Sequence, residues 1–215
     1  MSFKDLSFKK KIEHIWEYYR LLIFGVLFVA IAGSSMVYAM FIKEKPVNYC
    51  GVGIYNTYIT EEQNSTMTDQ LNKSLGLVFP DTVTVTDYYF DENDKVFNVD
   101  MEQKFITYLF SLEMHLVAAP KTDVETFVQA EYLAPLTDYY TENELKEIED
   151  RLVYLPDPLD GNKEKPFAIN LESSKLVNDL GIFDNALEPE PCIGIVPVDG
   201  FESNIKSVLD QMIKE

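Results

Sequence analysis

Apolar positions follow two regimes along this chain. From Leu21 to Ile42 there are 22 consecutive uncharged residues, twelve of them Leu, Ile, Val or Phe, with no polar stripe. As a helix rising about 1.5 Å per residue, the run spans roughly 33 Å, which matches a bilayer's hydrocarbon core. At about 0.3 to 0.6 kcal/mol each, the twelve side chains favour insertion by roughly 4 to 7 kcal/mol, and Gly25, Gly33, Ser34 and Ser35 subtract part of it. The pattern predicts a transmembrane helix over 21–42. Ahead of it, Ile12, Ile15, Trp16 and Tyr19 recur at helical spacing, so residues 1–20 read as a basic, amphipathic lead-in with Trp16, Tyr18 and Tyr19 at headgroup level.

After Pro46 the apolar patches shorten and change period. Tyr49 to Tyr55 reads as a strand in which Gly51 and Gly53 allow close backbone approach. Thr60 and Gln63 have capping-box spacing and open a helix to Leu75, stopped by Gly76. Thr82 to Phe90 is β-branched and aromatic, hence a strand. Met101, Phe105, Leu109 and Leu112 mark a helix, and His115 to Ala119 a strand closed by Pro120. Thr122-Asp123 caps a helix through Val128, and Thr141 opens another through Arg151. Pro156 to Asn162 is turn chemistry. There follow a strand at Phe167 to Leu171, a helix at Ser174 to Leu180 stopped by Gly181, a strand at Cys192 to Val198 and a helix from Phe201 to Ile213. Helices separate nearly all the strands. The expected fold is α/β: one three-layer domain over 46–215, with helices on both faces of a parallel or mixed sheet.

Composition sharpens this division. With 47% hydrophobic residues the chain can bury a core, which excludes intrinsic disorder as its main description. Residues 1–45 carry seven basic and four acidic groups, net +3, and residues 46–215 carry 11 basic and 32 acidic, net −21. Such an acidic body offers no basic face for phosphate, so a nucleic-acid partner is excluded. Five basic residues precede the apolar run and two follow it, which predicts a cell-membrane protein with its N-terminus cytoplasmic and 46–215 extracytoplasmic. A cleaved signal peptide ending at Ala30-Ile31-Ala32 is the competing reading. The anchor is preferred because the apolar run continues ten residues past Ala32. Cys50 lacks a lipobox-like context, and Ala30 with Ser34, or Ser35 with Ala39, are spaced for helix pairing. The acidic domain is expected to stand off anionic surfaces or to attract a basic partner.

Candidate chemistry is sparse. The two histidines, His14 and His115, fall on opposite sides of the predicted membrane and cannot share a metal site or a Ser-His relay. Asp91, Asn93 and Glu102 occupy positions 1, 3 and 12 of a calcium-loop register, but Lys95 and Val96 stand where a ligand and a Gly are needed. Paired carboxylates such as Glu61 and Glu62 are expected from abundance alone. Tyr88, Phe90, Tyr139 and Tyr140 suit either sugar stacking or core packing, and alternation of Tyr88 with Phe90 favours the core. No cofactor is implied. Cys50 and Cys192 are the only cysteines. If the first and last strands are neighbours, they form a candidate disulfide closing a loop of about 142 residues, worth up to roughly 5 kcal/mol on the chain-entropy model. Otherwise they are buried free thiols.

The segment Met114 to Pro120, then Val124, Phe127 and Val128, then Leu133-Ala134-Pro135-Leu136-Thr137-Asp138-Tyr139, resembles a recurring passage of extracellular solute-binding proteins of ABC transporters, of the type II periplasmic kind. Lys165 to Leu171, followed by Leu176, Leu180 and Gly181, resembles that family's next landmarks, and Cys192 to Pro197 its return strand near the C-terminus. Full members enclose a ligand between two lobes. Here the second lobe is missing, so the resemblance implies one truncated lobe on a membrane anchor and carries over no ligand contacts. A single lobe exposes half a cleft and should hold small molecules weakly. The expectation is a membrane-anchored, non-catalytic binding or accessory module whose partner is another envelope protein or a transporter. The alternatives are a ligand binder that dimerises to rebuild a cleft, and a carboxylate-based envelope hydrolase.

Overall fold

The computed structural model describes residues 8–39, 44–91, 93–184 and 190–214. Residues 1–7 of the predicted lead-in and 40–42 of the predicted span lie outside the described residues, as do the side chains of Ile12, His14 and Ile15. The chain divides into two compact units, Met1–Lys45 and Pro46–Glu215.

Among the described residues the first unit is built on one helix, α1 (Phe8–Val37), which takes in residues 8–20 of the lead-in and most of the predicted span. Its stretch Trp16–Val37 is long and apolar enough to cross a membrane, a pattern that an N-terminal signal sequence shares. Leu21 is 83% exposed and Phe28 73%, so these side chains find no protein partner. Trp16 meets Phe24 edge to face at 5.8 Å.

The second unit is a mixed six-stranded sheet with helices on both faces. Its strands are β1 (Val47–Tyr55), β2 (Asp81–Tyr88), β3 (Leu116–Pro120), β4 (Leu152–Asp157), β5 (Lys163–Asn170) and β6 (Pro191–Ile195). The order across the sheet is β2-β1-β3-β6-β5-β4. β1 runs parallel to both β2 and β3, whereas β6 lies antiparallel to β3 and β5, and β4 antiparallel to β5. The last strand therefore sits inside the sheet, two places from the first.

Six helices complete the unit: α2 (Glu61–Leu75), α3 (Lys95–Phe110), α4 (Lys121–Gln129), α5 (Glu142–Glu147), α6 (Lys175–Leu180) and α7 (Glu202–Met212). Thr60 and Gln63 form the expected reciprocal capping box on α2, and Gly76 ends it at φ +67°, a left-handed conformation glycine adopts without a Cβ clash. Ser174 caps α6 by accepting the Val177 N–H through its hydroxyl, and Gly181 ends that helix at φ +59°. Met67 and Leu71 of α2 and Ile205, Val208 and Leu209 of α7 close one core with Cys50, Val52, Ile54, Leu116 and Ile193. Phe105 and Leu109 of α3 and Val124, Phe127 and Val128 of α4 close a second core with Tyr88, Val117, Ala119 and Cys192. Period-two alternation along the strands divides the residues between the two cores.

Several boundaries differ from the sequence reading. α3 begins at Lys95, not near Met101, because the Asp94 carboxylate accepts the Val96 and Phe97 N–H groups as an N-cap. Leu112 lies beyond that helix, exposed, at φ +61°. Thr122 and Asp123 sit inside the first turn of α4, whose N-cap position is Pro120. The stretch read as turn from Pro156 begins inside a strand, since β4 runs to Asp157 and forms a hairpin with β5 through Pro158–Asp160. Pro156 lies on β4, the sheet's outer strand, where a proline is tolerated better than on a strand paired on both sides.

Candidate functional site

Gly51 and Gly53 of β1 pair with Thr84 and Thr86 of β2, and Tyr55 with Tyr88, so these six residues share one sheet face. A groove of about 260 Å³ opens beside the glycines, the space directly over them being taken by the Glu113 carbonyl at Gly51 and by the Met114 side chain and Tyr88 ring at Gly53. Thr84 and Thr86 continue the floor, Tyr88 and Tyr108 close one end, and Asn48, Glu113 and Met114 form the wall. Glycine is required at Gly51, where a Cβ would stand 1.9 Å from the Glu113 carbonyl oxygen, so the Glu113 backbone can lie against the sheet only because that position lacks one. At Gly53 a Cβ would stand 3.0 Å from the Met114 sulfur, a side-chain atom that can give way.

Two polar atoms at this groove have no partner among the described residues. Tyr88 is fully buried and packs against Phe105 at 5.2 Å, yet its hydroxyl makes no hydrogen bond. Burial raises its pKa, with the charges of Tyr108, Asp87 and Glu113 adding to the shift, and two of those residues also line the groove. Asn48 donates its Nδ2 to the Glu113 carbonyl at 2.8 Å, which leaves its Oδ1 unsatisfied. A buried polar group left without a partner costs about 1–3 kcal/mol. The Lys104 ammonium stands 5.3 Å from the Tyr88 ring centroid.

His115 lies one residue before β3 and is held in a structural role. Its Nδ1 accepts the Gly51 N–H at 2.8 Å, its own N–H donates to the Gly51 carbonyl at 2.9 Å, and its ring lies 4.4 Å from that of Phe201. A nitrogen that accepts carries no proton, so the ring is the neutral tautomer with hydrogen on Nε2. That Nε2 is buried with no partner among the described residues, and desolvation lowers the pKa.

The proposed Cys50–Cys192 bond is corrected: both thiols are free and fully buried. The condition for it fails because β3 and its ladder separate the two strands. Cys192 lies opposite Ala119, level with Tyr55 on β1, five residues beyond Cys50. The two are thus about 16 Å apart along the strands and about 10 Å across them, on opposite faces. Burial pushes both thiols up to about 12.

The other residues singled out in the sequence do not converge. Asp91 accepts the Asn93 N–H, Asp94 caps α3, and Glu102 lies farther along that helix, so the calcium-like register is a helix start. Tyr140 donates to Asp210 at 2.8 Å in the core, and Phe90 packs with Tyr55 at 4.9 Å. Among the described residues no three His, Cys, Asp or Glu side chains gather in a way that would hold a metal ion. The closest charged cluster ties the β4–β5 hairpin: Lys165 reaches Asp157 at 2.7 Å and Asp160 at 3.2 Å. Both carboxyls are held below their ordinary range, first by hydrogen bonds from Lys165 to Asp157 and from Lys163 to Asp160. The sequence reading missed Asn48, Thr84, Thr86, Tyr108 and Glu113. The available signal was the pairing of a Gly-x-Gly strand with a Thr-x-Thr-x-Tyr strand. Comparison of the chain with protein-family models, curated proteins and solved structures finds no match in any of the three.

Proposed function

We propose that this protein is a single-pass membrane protein, N-terminus cytoplasmic, whose extracytoplasmic residues 46–215 serve as a non-catalytic binding or accessory module resembling half of a solute-binding protein. The observation that carries the reading is α1. Its apolar side chains are exposed over Trp16–Val37, whereas residues 46–215 close their own core, and an uncovered apolar helix of that length is stable in a bilayer and not in water. The basic excess ahead of the span supports the orientation. The segment resembling the family's return strand is β6, which inserts between β3 and β5 as the closing strand of a single lobe. His115, the domain's one histidine, has its accepting nitrogen occupied by Gly51, which takes it out of the role of general base.

The test is fractionation of the full-length chain with an N-terminal epitope. The reading expects it to stay with membranes through alkaline carbonate, to keep its intact mass, and to lose residues 46–215 to protease added outside the cell while the epitope is spared. Release into the soluble fraction, or cleavage after Ala32, overturns it.

A further inference from the structure

We propose that the groove beside Gly51 and Gly53 binds a neutral polyol of monosaccharide size; the proposal rests on reading residues 46–215 as a binding module. The unsatisfied atoms define the chemistry. Asn48 Oδ1 needs a donor, and the Tyr88 hydroxyl needs a donor or an acceptor. Glu113 at the wall accepts, and Thr84 and Thr86 on the floor carry hydroxyls that do both. A ligand whose every polar group is itself a hydroxyl satisfies this mixed set, and an apolar ligand would leave both orphaned atoms as they are. An anion is disfavoured by Glu113 and by the net −21 of the domain, and among the described residues no three His, Cys, Asp or Glu side chains gather to hold a metal cation. The volume of about 260 Å³ lies just below the roughly 300–1,000 Å³ of drug-sized sites. Gly51 and Gly53 line the groove without side chains of their own, Thr84 and Thr86 present hydroxyls beside them, and Tyr108 and Tyr88 close one end. Because the groove is open to solvent, the expected affinity is millimolar.

The experiment uses the full-length protein in phosphatidylcholine nanodiscs, since sugar-headed detergents would compete. Glucose, galactose and myo-inositol are titrated while the melting temperature and tyrosine fluorescence are followed. The expected result is a saturable response to at least one of them, weakened about tenfold or more by Tyr88→Phe and by Thr86→Val. Tyr88→Phe removes a hydroxyl with no protein partner, so the unliganded variant should melt no lower than the parent. The difference between parent and Tyr88→Phe removes the general stabilisation that excluded sugars give any protein. A response that never saturates, or one that keeps its midpoint in both variants, overturns the proposal. Membrane fractionation of the same preparation reads the anchor independently of any sugar, so failure of one leaves the other standing.

Discussion

Asn72, near the end of α2, accepts the Val83 N–H of β2 through its Oδ1 at 2.8 Å. Two turns earlier on the same helix, Asn64 donates its Nδ2 to the Val85 carbonyl at 3.1 Å. β2 is an outer strand, and its unpaired backbone groups would otherwise be open to another chain's strand. The two amides occupy those groups from within the molecule. Asn72→Ala should lower stability by about 1 kcal/mol, a fall of roughly 2–4 °C in melting temperature. Adding Asn64→Ala should produce concentration-dependent association, read by light scattering after gel filtration. A double variant that stays monomeric at high concentration would contradict the role given to the pair.

The two β1 glycines should differ in tolerance. Gly51→Ala sets a Cβ against the Glu113 carbonyl, which is backbone and cannot swing away, so a loss of about 3 kcal/mol or failure to fold is expected. At Gly53 the nearest atom is the Met114 sulfur, the far part of a flexible side chain, so Gly53→Ala should cost about 1 kcal/mol. Denaturant unfolding checks the ranking.

His115 predicts a pH dependence. Its folded-state pKa is lowered, so the unfolded chain binds the proton more readily and stability rises with pH. The contribution is complete above the unfolded value of about 6.5 and is lost as pH falls below it. Glu144 is held at about 2, first by its hydrogen bond with Lys206 and then by Thr141, so it stays ionised across this window. Melting temperature should therefore drop between pH 7.5 and 5.5. His115→Asn keeps an oxygen placed to accept the Gly51 N–H but cannot titrate, and it should flatten that slope even though lost packing on Phe201 lowers its stability overall. An equal slope in parent and variant would assign the effect elsewhere.

The thiols predict chemical silence. With both pKa values pushed up to about 12 and no exposed surface, neither Cys50 nor Cys192 should react with a disulfide reagent at pH 8 until the protein unfolds, whereupon both should. Reductant should leave the melting temperature unchanged. Cys50→Ala and Cys192→Ala act in different cores on opposite faces, so their costs should add to within about 0.5 kcal/mol.

Local signals in the sequence carried most of the fold. Capping at Thr60 and Thr141, the stops at Gly76 and Gly181, and the apolar run of α1 appear where their chemistry requires them. The start of α3 is hidden because the apolar spacing begins only at Met101 and Asp94 stands in a polar stretch, and β4 because Pro156 reads as a breaker unless the strand is known to lie at the edge. Long-range order was not legible. Nothing local in Cys192 to Val198 says that this segment separates β3 from β5, and the disulfide reading failed on that point. The groove shares the difficulty, since Asn48, Thr86 and the stretch from Tyr108 to Glu113 come from three separate parts of the chain and meet through the β1–β2 pairing and the Asn48–Glu113 hydrogen bond.

The central position of β6 bears on biosynthesis. Until Pro191–Ile195 leaves the ribosome, β3 and β5 have no common neighbour, and the nascent chain holds two incomplete half-sheets with raw inner margins. A premature stop before that point would strand every earlier segment short of its native arrangement. The completed sheet cannot form before that strand emerges, so a holding factor at the site of emergence would have all the earlier strands to shield.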